Sequence, residues 1–188
     1  MKIGLFFGSF NPIHSGHLII ANYMVSHSDL DEIWFVVSPH NPLKQKKTLL
    51  ADNHRLEMVR ISIENSQKLK VSDIEFKMPQ PSYTIDTLVY LQEKFPQYKF
   101  CLIIGADNLQ TFNKWKNYKE VLKMTELYVY PRPNCNDVNV DFIFHRIEAP
   151  MVEISSTLIR NMIKAKKDIR FFVPESVYNY IDLMNFYK

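Results

Sequence analysis

Continuous apolar runs, separated by segments in which apolar residues recur at helical spacing, set the pattern of this chain. Because apolar side chains fill both alternating sets of positions, such runs predict strands that are covered on both faces of a sheet. The clearest runs lie at residues 2–7, 31–38, 98–104 and 126–130. Weaker alternation predicts further strands at residues 69–76 and 142–147.

Helical periodicity follows most of these strands. Asp52 is predicted to cap the second helix, and the prolines and asparagine of residues 39–47 predict a loop. Strands that alternate with helices predict an α/β fold with a doubly wound, mostly parallel sheet. We expect one domain over residues 1–188, with about 155–188 forming a small C-terminal helical appendage. The predicted helices lie at residues 14–28, 53–66, 84–95 and 157–166, with a short one through Leu109 and Phe112 and a last one from Pro174 toward Asn185.

The composition is that of a globular protein with a substantial core, since 46% of the 188 residues are hydrophobic and 23% are charged. The net charge of +3 is small and the lysines are mostly scattered, so nucleic acid is not an expected partner. Cys101 and Cys135 have neither metal-ligand spacing nor the pattern of a disulfide framework. No apolar stretch approaches the roughly twenty residues of a membrane span, and no signal peptide is predicted. We therefore expect a cytoplasmic protein without a membrane partner; homo-oligomer formation is left open.

The first strand-to-helix junction reads GSFNPIHSGH at residues 8–17. Backbone N–H groups of such a loop and of the following helix N-terminus favour a bound anion, typically phosphate. Gly8 allows the backbone to approach a ligand, and Gly16 removes side-chain bulk between the histidines, where phosphates would approach. His14 and His17 are three residues apart, so their imidazoles project side by side. Two donors beside an anion site predict charge stabilisation in phosphoryl or nucleotidyl transfer, although each feature alone is also common in ordinary helix starts.

A second motif, ISSTLIR, occupies residues 154–160 near the other end of the chain. Hydroxyl groups at the start of a helix are ordinarily an N-cap, and this remains an alternative here. Capping, however, does not require an arginine one turn later. Arg160 can join the hydroxyls of Ser156 and Thr157 in binding a polyphosphate, because its planar guanidinium matches phosphate oxygens.

Loops with candidate chemistry follow four of the predicted strands. They lie at residues 8–17, 39–47, 105–107 and 131–133. In open parallel sheets, ligands bind beyond the carboxyl ends of the strands, so we expect these loops to converge at one edge. Asp107, in the third loop, is placed for ribose hydroxyls, with a helix cap as the alternative.

The two motifs resemble those of the nucleotidyltransferase superfamily, in which an HxGH motif is paired with an ISSTxIR motif that binds the triphosphate of ATP. SYTIDTL at residues 82–88 resembles the YTxDTL element of bacterial nicotinate mononucleotide adenylyltransferases. Pantetheine-phosphate adenylyltransferases usually carry threonine in place of His14, and glycerol-phosphate cytidylyltransferases lack the YTxDTL helix, so the resemblance favours the pyridine-nucleotide branch. Further similar elements at corresponding places are PHNPLK at residues 39–44, Gly105-Ala106-Asp107, Trp115 and Arg132-Pro133.

Two segments depart from the pattern of that family. Residues 7–11 read FGSFN where many relatives read GGTFD, and residues 39–44 read PHNPLK where PPHK is commoner. The first change keeps the second glycine of the turn. The second leaves open which side chain contacts the phosphate of the acceptor.

The resemblance implies a Rossmann-like transferase that moves the adenylyl group of ATP to nicotinate mononucleotide, forming nicotinate adenine dinucleotide and pyrophosphate in NAD biosynthesis. It implies catalytic roles for His14, His17 and Arg160. It also implies Mg²⁺ bound mainly through the phosphates of ATP, with no metal site built from protein ligands. The residues implied to bind ATP are Gly8, Ser9, Phe10, His17, Gly105, Asp107, Ser156, Thr157 and Arg160, and those implied to bind the mononucleotide are Lys44, Tyr83, Thr84, Trp115 and Arg132.

Other interpretations stay open at this point. The acceptor can be nicotinamide mononucleotide or another phosphorylated metabolite, because discrimination between an acid and an amide depends on local N–H donors. A catalytically silent nucleotide sensor is a second alternative, although a sensor more plausibly loses His17 or Arg160. Individually, Tyr83 and Thr84 are also explained by a helix cap, and Trp115 by a place in the core or at its rim.

Overall fold

A single parallel sheet forms the centre of the protein. The computed structural model describes residues 1–39, 49–133, 135 and 140–188, so Lys44 and most of the predicted loop at 39–47 lie outside the described residues. The strands are β1 (Lys2–Gly8), β2 (Glu32–Val37), β3 (Leu69–Ser72), β4 (Lys99–Gly105), β5 (Glu126–Tyr130) and β6 (His145–Arg146).

Seven α-helices connect or follow these strands in the part of the chain that the structure describes. None of them is long and apolar enough to cross a membrane. They are α1 (Ser15–His27), α2 (Asp52–Ser62), α3 (Thr84–Lys94), α4 (Ala106–Leu109), α5 (Tyr118–Met124), α6 (Ser156–Lys164) and α7 (Glu175–Leu183).

The strand order is β3-β2-β1-β4-β5-β6, and every pairing among the described strands is parallel. From β1 the chain winds outward through β2 and β3, then crosses back to β4 on the other side of β1. The winding direction therefore reverses between β1 and β4, the place at which doubly wound sheets bind ligands. The predicted α/β fold with a doubly wound, parallel sheet is confirmed.

Two hydrophobic cores cover the two faces of the sheet. Along β1, Phe6 enters the first core while Leu5 enters the second, as the two-residue period of a strand requires. The first core also takes buried residues from α1, α2, α6 and α7, such as Met24, Met58, Ile159 and Ile181. The second takes buried residues from α3 and α5, such as Leu88 and Val121.

Several predicted boundaries are wrong, each for a local reason. Helix α2 begins at Asp52 with Ala51 at the N-cap, since the carboxylate of Asp52 pairs with Arg55 rather than capping. The same helix ends at Ser62, whose hydroxyl donates to the carbonyl of Val59. The second half of the predicted strand 69–76 is a 3-10 turn over Ile74–Lys77.

Three further differences lie between residues 118 and 164. Only His145–Arg146 of the predicted strand 142–147 pairs with β5, because Phe142 turns to pack on Phe112, with ring centroids 5.4 Å apart. Helix α6 begins at Ser156 rather than Thr157 and ends at Lys164. Helix α5 was not predicted, although Tyr118, Val121 and Leu122 have helical spacing and pack in or against the second core.

Candidate active site

The loop after β1 is shaped by the burial of Phe10. This residue has a φ of 44°, in the left-handed region, and its ring is 2% exposed. The ring packs on Phe35 and His17, with centroids 5.4 and 5.1 Å away. A Cβ atom on Gly8 would lie 2.7–3.0 Å from atoms of this ring, so glycine is needed there for packing. The side chain of Phe10 is therefore not available to a ligand.

The two histidines of the first motif stand side by side, as predicted. Their ring centroids are 3.6 Å apart with an angle of 24° between the planes. The backbone N–H of His14 donates to Nδ1 of His17 at 3.3 Å, so the neutral ring of His17 carries its proton on Nε2. A Cβ atom at Gly16 would lie 3.1–3.3 Å from the His14 ring and from Val152. Glycine at position 16 therefore makes room for His14 itself.

His14 is buried, with 4% of its surface exposed. Burial, assisted by the positive charge of Arg132, lowers the pKa of His14 from 6.5 to about 4. Its Nδ1 is buried and has no hydrogen-bond partner among the described residues. At neutral pH the ring is therefore uncharged, and it can still act on a ligand as a hydrogen-bond donor.

The lowered pKa of His14 predicts a pH-dependent stability. Unfolding restores the ordinary pKa of 6.5, so between pH 4 and 6.5 the unfolded chain binds the proton more readily. The free energy of unfolding therefore keeps its full value above pH 6.5. As the pH falls from 6.5 to 4, protonation of His14 in the unfolded chain lowers it by at most about 3 kcal/mol. Urea titrations of the parent and of His14→Asn at pH 4 to 7 test this. We expect their difference in stability to change with pH; parallel curves would contradict it.

The second motif docks directly on the first loop. Ser156 Oγ donates to the carbonyl of Pro12 at 2.8 Å, and Arg160 Nη1 donates to the carbonyl of Asn11 at 2.8 Å. Arg160 Nη2 donates to Thr157 Oγ1 at 3.1 Å. The guanidinium therefore lies on the loop that leads into His14, on the same side of the sheet as the histidine pair.

The capping interpretation applies to Ser155. Its Oγ accepts the backbone N–H of Leu158 at 3.1 Å, which is the usual N-cap bond. The hydroxyls of Ser156 and Thr157 are engaged elsewhere, as described above. The motif thus combines a capping residue, Ser155, with Ser156 and Arg160, which contact the first loop, and with Thr157, which accepts a hydrogen bond from Arg160.

A cavity of about 290 Å³ opens beside the loop that follows β1, between the carboxyl ends of β1 and β4. Its lining contains five of the residues predicted from sequence, together with side chains that were not predicted. Trp115 is half-buried and packs on Phe112, with ring centroids 5.0 Å apart. The predicted residues in the lining are Gly8, Tyr83, Thr84, Gly105 and Trp115, and the others include Ser38, Glu75, Asn108, Thr111 and Lys116.

The start of α3 is held by a buried carboxylate that sequence reasoning missed. Glu75 is 2% exposed, and its carboxylate oxygens accept hydrogen bonds from Thr87 Oγ1 at 2.8 Å and Ser82 Oγ at 3.0 Å. Tyr83, at the N-cap, makes no side-chain capping bond. Glu75 therefore fixes the segment that brings Tyr83 and Thr84 to the cavity.

Arg132 lies beside Gly105 and against Asp107. Its Nε is 3.7 Å from Asp107 Oδ1, and its Nη2 donates to Tyr130 Oη at 3.1 Å. A Cβ atom at Gly105 would lie 3.1 Å from Arg132 Cγ and Nε. The structure thus groups Arg132 with the residues predicted for ATP, while its predicted role toward the mononucleotide stays a prediction.

Arg55 is the most deeply buried charged residue near the site, with 0% exposure, and was not predicted. It ties the first loop to the end of β2 and to the start of α2. An arginine in a polar helix ordinarily lies in solvent, so the sequence carries no signal for this role beyond Asp52 three residues earlier. Its guanidinium donates to the carbonyls of Ser9 (2.6 Å), Ser38 (2.8 Å), Leu50 (3.0 Å) and Pro39 (3.2 Å), and to the carboxylate of Asp52.

Comparison with known proteins agrees with this geometry. A family profile described as cytidylyltransferase-like matches residues 5–162. The chain is 58% identical to a protein of Flavobacterium psychrophilum and 56% identical to one of Flavobacterium johnsoniae, over 100% of both chains in each case. Both relatives carry the name "Probable nicotinate-nucleotide adenylyltransferase".

A solved structure is similar in fold. It is nicotinic acid mononucleotide adenylyltransferase of Plasmodium falciparum complexed with NaAD, with a TM-score of 0.82 and 23% sequence identity. The match covers 99% of this chain and 97% of that chain. At this identity the likeness concerns the fold, which is the Rossmann-like arrangement described above.

Proposed function

The chain belongs to the cytidylyltransferase-like family, and we propose that it is a nucleotidyltransferase of NAD biosynthesis, which transfers the adenylyl group of ATP to nicotinate mononucleotide. The products are nicotinate adenine dinucleotide and pyrophosphate. The names of relatives at 58% and 56% identity over their full length support this activity. The structural observation that carries it is the junction of Arg160 with the loop of the stacked histidines, beside an aromatic cavity.

In this reaction one P–O bond replaces another. A phosphate oxygen of the mononucleotide attacks the α-phosphorus of ATP, and the bond between that phosphorus and the bridging oxygen to the β-phosphorus breaks. The attacking phosphate has a second pKa of about 6, so it is already largely ionised at neutral pH and needs no general base. The protein therefore has to position the two substrates and to stabilise the charge on the transferring group.

The roles around ATP follow from the positions of the donors. We assign Nε2 of His17 to the α-phosphate and to the charge that develops there, because Nδ1 is already engaged. His14 and Arg160, with Ser156, are assigned to the leaving pyrophosphate. Gly105 and Asp107 are assigned to adenosine. The remaining contacts to the phosphates are assigned to the backbone N–H groups of Gly8, Ser9 and Phe10 and to the hydroxyl of Thr157.

The mononucleotide is assigned to the cavity. Its aromatic lining, with Tyr83 and Trp115, suits stacking on a pyridine ring. Thr84 lines the same space and is the first residue of α3, where backbone N–H groups have no partner within the helix. Lys44 and Arg132 are assigned to the phosphate of the mononucleotide, as the resemblance implies.

The ATP is proposed to enter as its magnesium complex, with the ion held by phosphate oxygens. Mg²⁺ keeps several waters and is commonly bound through substrate phosphates with few protein ligands. Among the described residues there is no group of three or more His, Cys, Asp or Glu side chains that could hold a metal ion. The ion supplies charge neutralisation on the triphosphate.

A direct assay tests the proposed function. Purified protein is incubated with ATP, Mg²⁺ and either nicotinate or nicotinamide mononucleotide, and pyrophosphate and the dinucleotide product are measured. We expect the acid to be converted with the higher kcat/KM. Preference for the amide would reassign the acceptor, and the absence of turnover with both would overturn the proposal.

Trp115→Ala is expected to raise KM for the mononucleotide about tenfold and to leave KM for ATP near its parent value. The physical reason is the loss of a stacking face worth about 0.5–1.5 kcal/mol beyond its buried area. Trp34→Phe is the matched control, because Trp34 packs on Phe95, Tyr98 and Phe100 away from the cavity. If KM for ATP rises instead, the two halves of the site are assigned the wrong way round.

A further inference from the structure

The penultimate residue of the chain contacts the first loop of the site. Tyr187 Oη donates to Asn11 Oδ1 at 2.8 Å, across 176 positions of sequence. The segment that brings it there follows α7, with φ values of 60° at Asn185 and 65° at Tyr187. The N–H of Phe186 donates to the carbonyl of Ile181 at 3.0 Å, and the Phe186 ring packs on His54 with centroids 4.8 Å apart. The end of the chain is therefore folded back and anchored on both sides.

Asn11 is the point at which three parts of the chain meet. Its side-chain oxygen accepts the hydroxyl of Tyr187 and the backbone N–H of Leu50, the latter at 3.2 Å. Its backbone carbonyl accepts Nη1 of Arg160 at 2.8 Å. Asn11 is 3% exposed, so its orientation is set by these partners rather than by water. A rotation of this residue would move the acceptor on which Arg160 rests.

The Tyr187 hydroxyl keeps its proton and can therefore donate a hydrogen bond over a wide pH range. Burial raises the pKa of Tyr187 above its ordinary value, and the positive charges of Arg160 and Arg55 offset part of this shift. The phenol therefore stays protonated across neutral and mildly alkaline pH. These two arginines are the ones that hold the carbonyls of Asn11 and Ser9 in the same loop.

We propose that Tyr187 is a positioning residue for adenylyl transfer, which holds Asn11 so that Arg160 is directed at the triphosphate. The inference rests on the proposed function, in which Arg160 contacts the leaving pyrophosphate. It extends the site to Tyr187, which the sequence motifs do not include. Tyr187 acts through Asn11 and Arg160 and contacts no reacting atom itself.

Tyr187→Phe tests the proposal, because it keeps the ring and removes the hydroxyl. We expect kcat to fall about tenfold, the size of one hydrogen bond of ordinary strength, with KM for the mononucleotide unchanged. The matched control is Tyr180→Phe, which removes a hydroxyl of α7, seven residues earlier, that bonds His54 Nδ1 at 2.9 Å. We expect the control to keep the parent kcat.

A double-mutant cycle with Arg160→Ala separates positioning from a general structural role. If Tyr187 acts through Arg160, Tyr187→Phe lowers kcat much less when Arg160 is already absent. Equal losses in both backgrounds, or a loss that only follows the fraction of unfolded protein in urea titrations, would overturn the proposal. A parent protein with no turnover would instead count against the proposed function, so the two failures are distinguishable.

Discussion

Replacing His17 by alanine is expected to lower kcat by about a hundredfold or more, the effect of removing one donor to a developing oxyanion. His17 is held for this role by three contacts: the stacked ring of His14 at 3.6 Å, the backbone N–H of His14 at 3.3 Å and the edge of Phe10 at 5.1 Å. Such preorganisation spares reorientation during the reaction, so the loss falls on kcat rather than on KM.

His27→Ala is the matched control for this experiment. His27 lies in the last turn of the same helix, is exposed, and stacks on Tyr23 with ring centroids 3.9 Å apart. Both variants remove a stacked imidazole from α1, and circular dichroism of each reports the helix content. Steady-state assays with both substrates saturating then compare kcat. A near-parent kcat for His17→Ala would remove His17 from the catalytic residues.

Arg55→Met is expected to lower the free energy of unfolding by about 3 kcal/mol or more. The substitution fills much of the same volume but leaves the partly buried backbone carbonyls of Ser9, Ser38 and Leu50 without the donor that Arg55 supplies. Each polar group left unsatisfied away from water costs about 1–3 kcal/mol.

Arg60→Met provides the comparison on the same helix. Arg60 pairs with Glu57 three residues away, and its side chain is 59% exposed, so the loss of this surface pair is expected to cost about 1 kcal/mol or less. Urea unfolding curves of the two variants and the parent measure the difference. If Arg55→Met is as stable as Arg60→Met, the buried guanidinium contributes nothing that methionine cannot replace.

Local patterns along the chain were sufficient for most of the architecture. The apolar run of β1 and the break at Gly8 predicted the strand and loop that the structure contains. The spacing of His14 and His17 predicted the stacked pair, because residues three apart on a helix are neighbours. Helix α5 was missed although Tyr118, Val121 and Leu122 have helical spacing, because its 7 residues are fewer than the window of about 11 or more over which helical periodicity is recognised.

The structural roles of individual residues were harder to predict from the sequence. Gly8 and Gly16 were expected to make room for a ligand, and in the structure they make room for Phe10 and His14. The motif can record that glycine is required, but the group that occupies the space is set by packing. The surroundings of Arg132 are likewise set by packing, because its Nε lies 3.7 Å from Asp107 Oδ1.

The amino-acid sequence by itself determined the doubly wound sheet, the two motifs that we propose to bind phosphate, and the family to which they point. These depend on periodicity and on spacing between residues that are close along the chain. The tertiary structure alone decided that Arg55 is buried, that Glu75 holds the start of α3, and that Tyr187 reaches Asn11. Such contacts join residues as many as 176 positions apart. They form because folding removes these polar groups from water, and a buried polar group needs a hydrogen-bond partner within the protein.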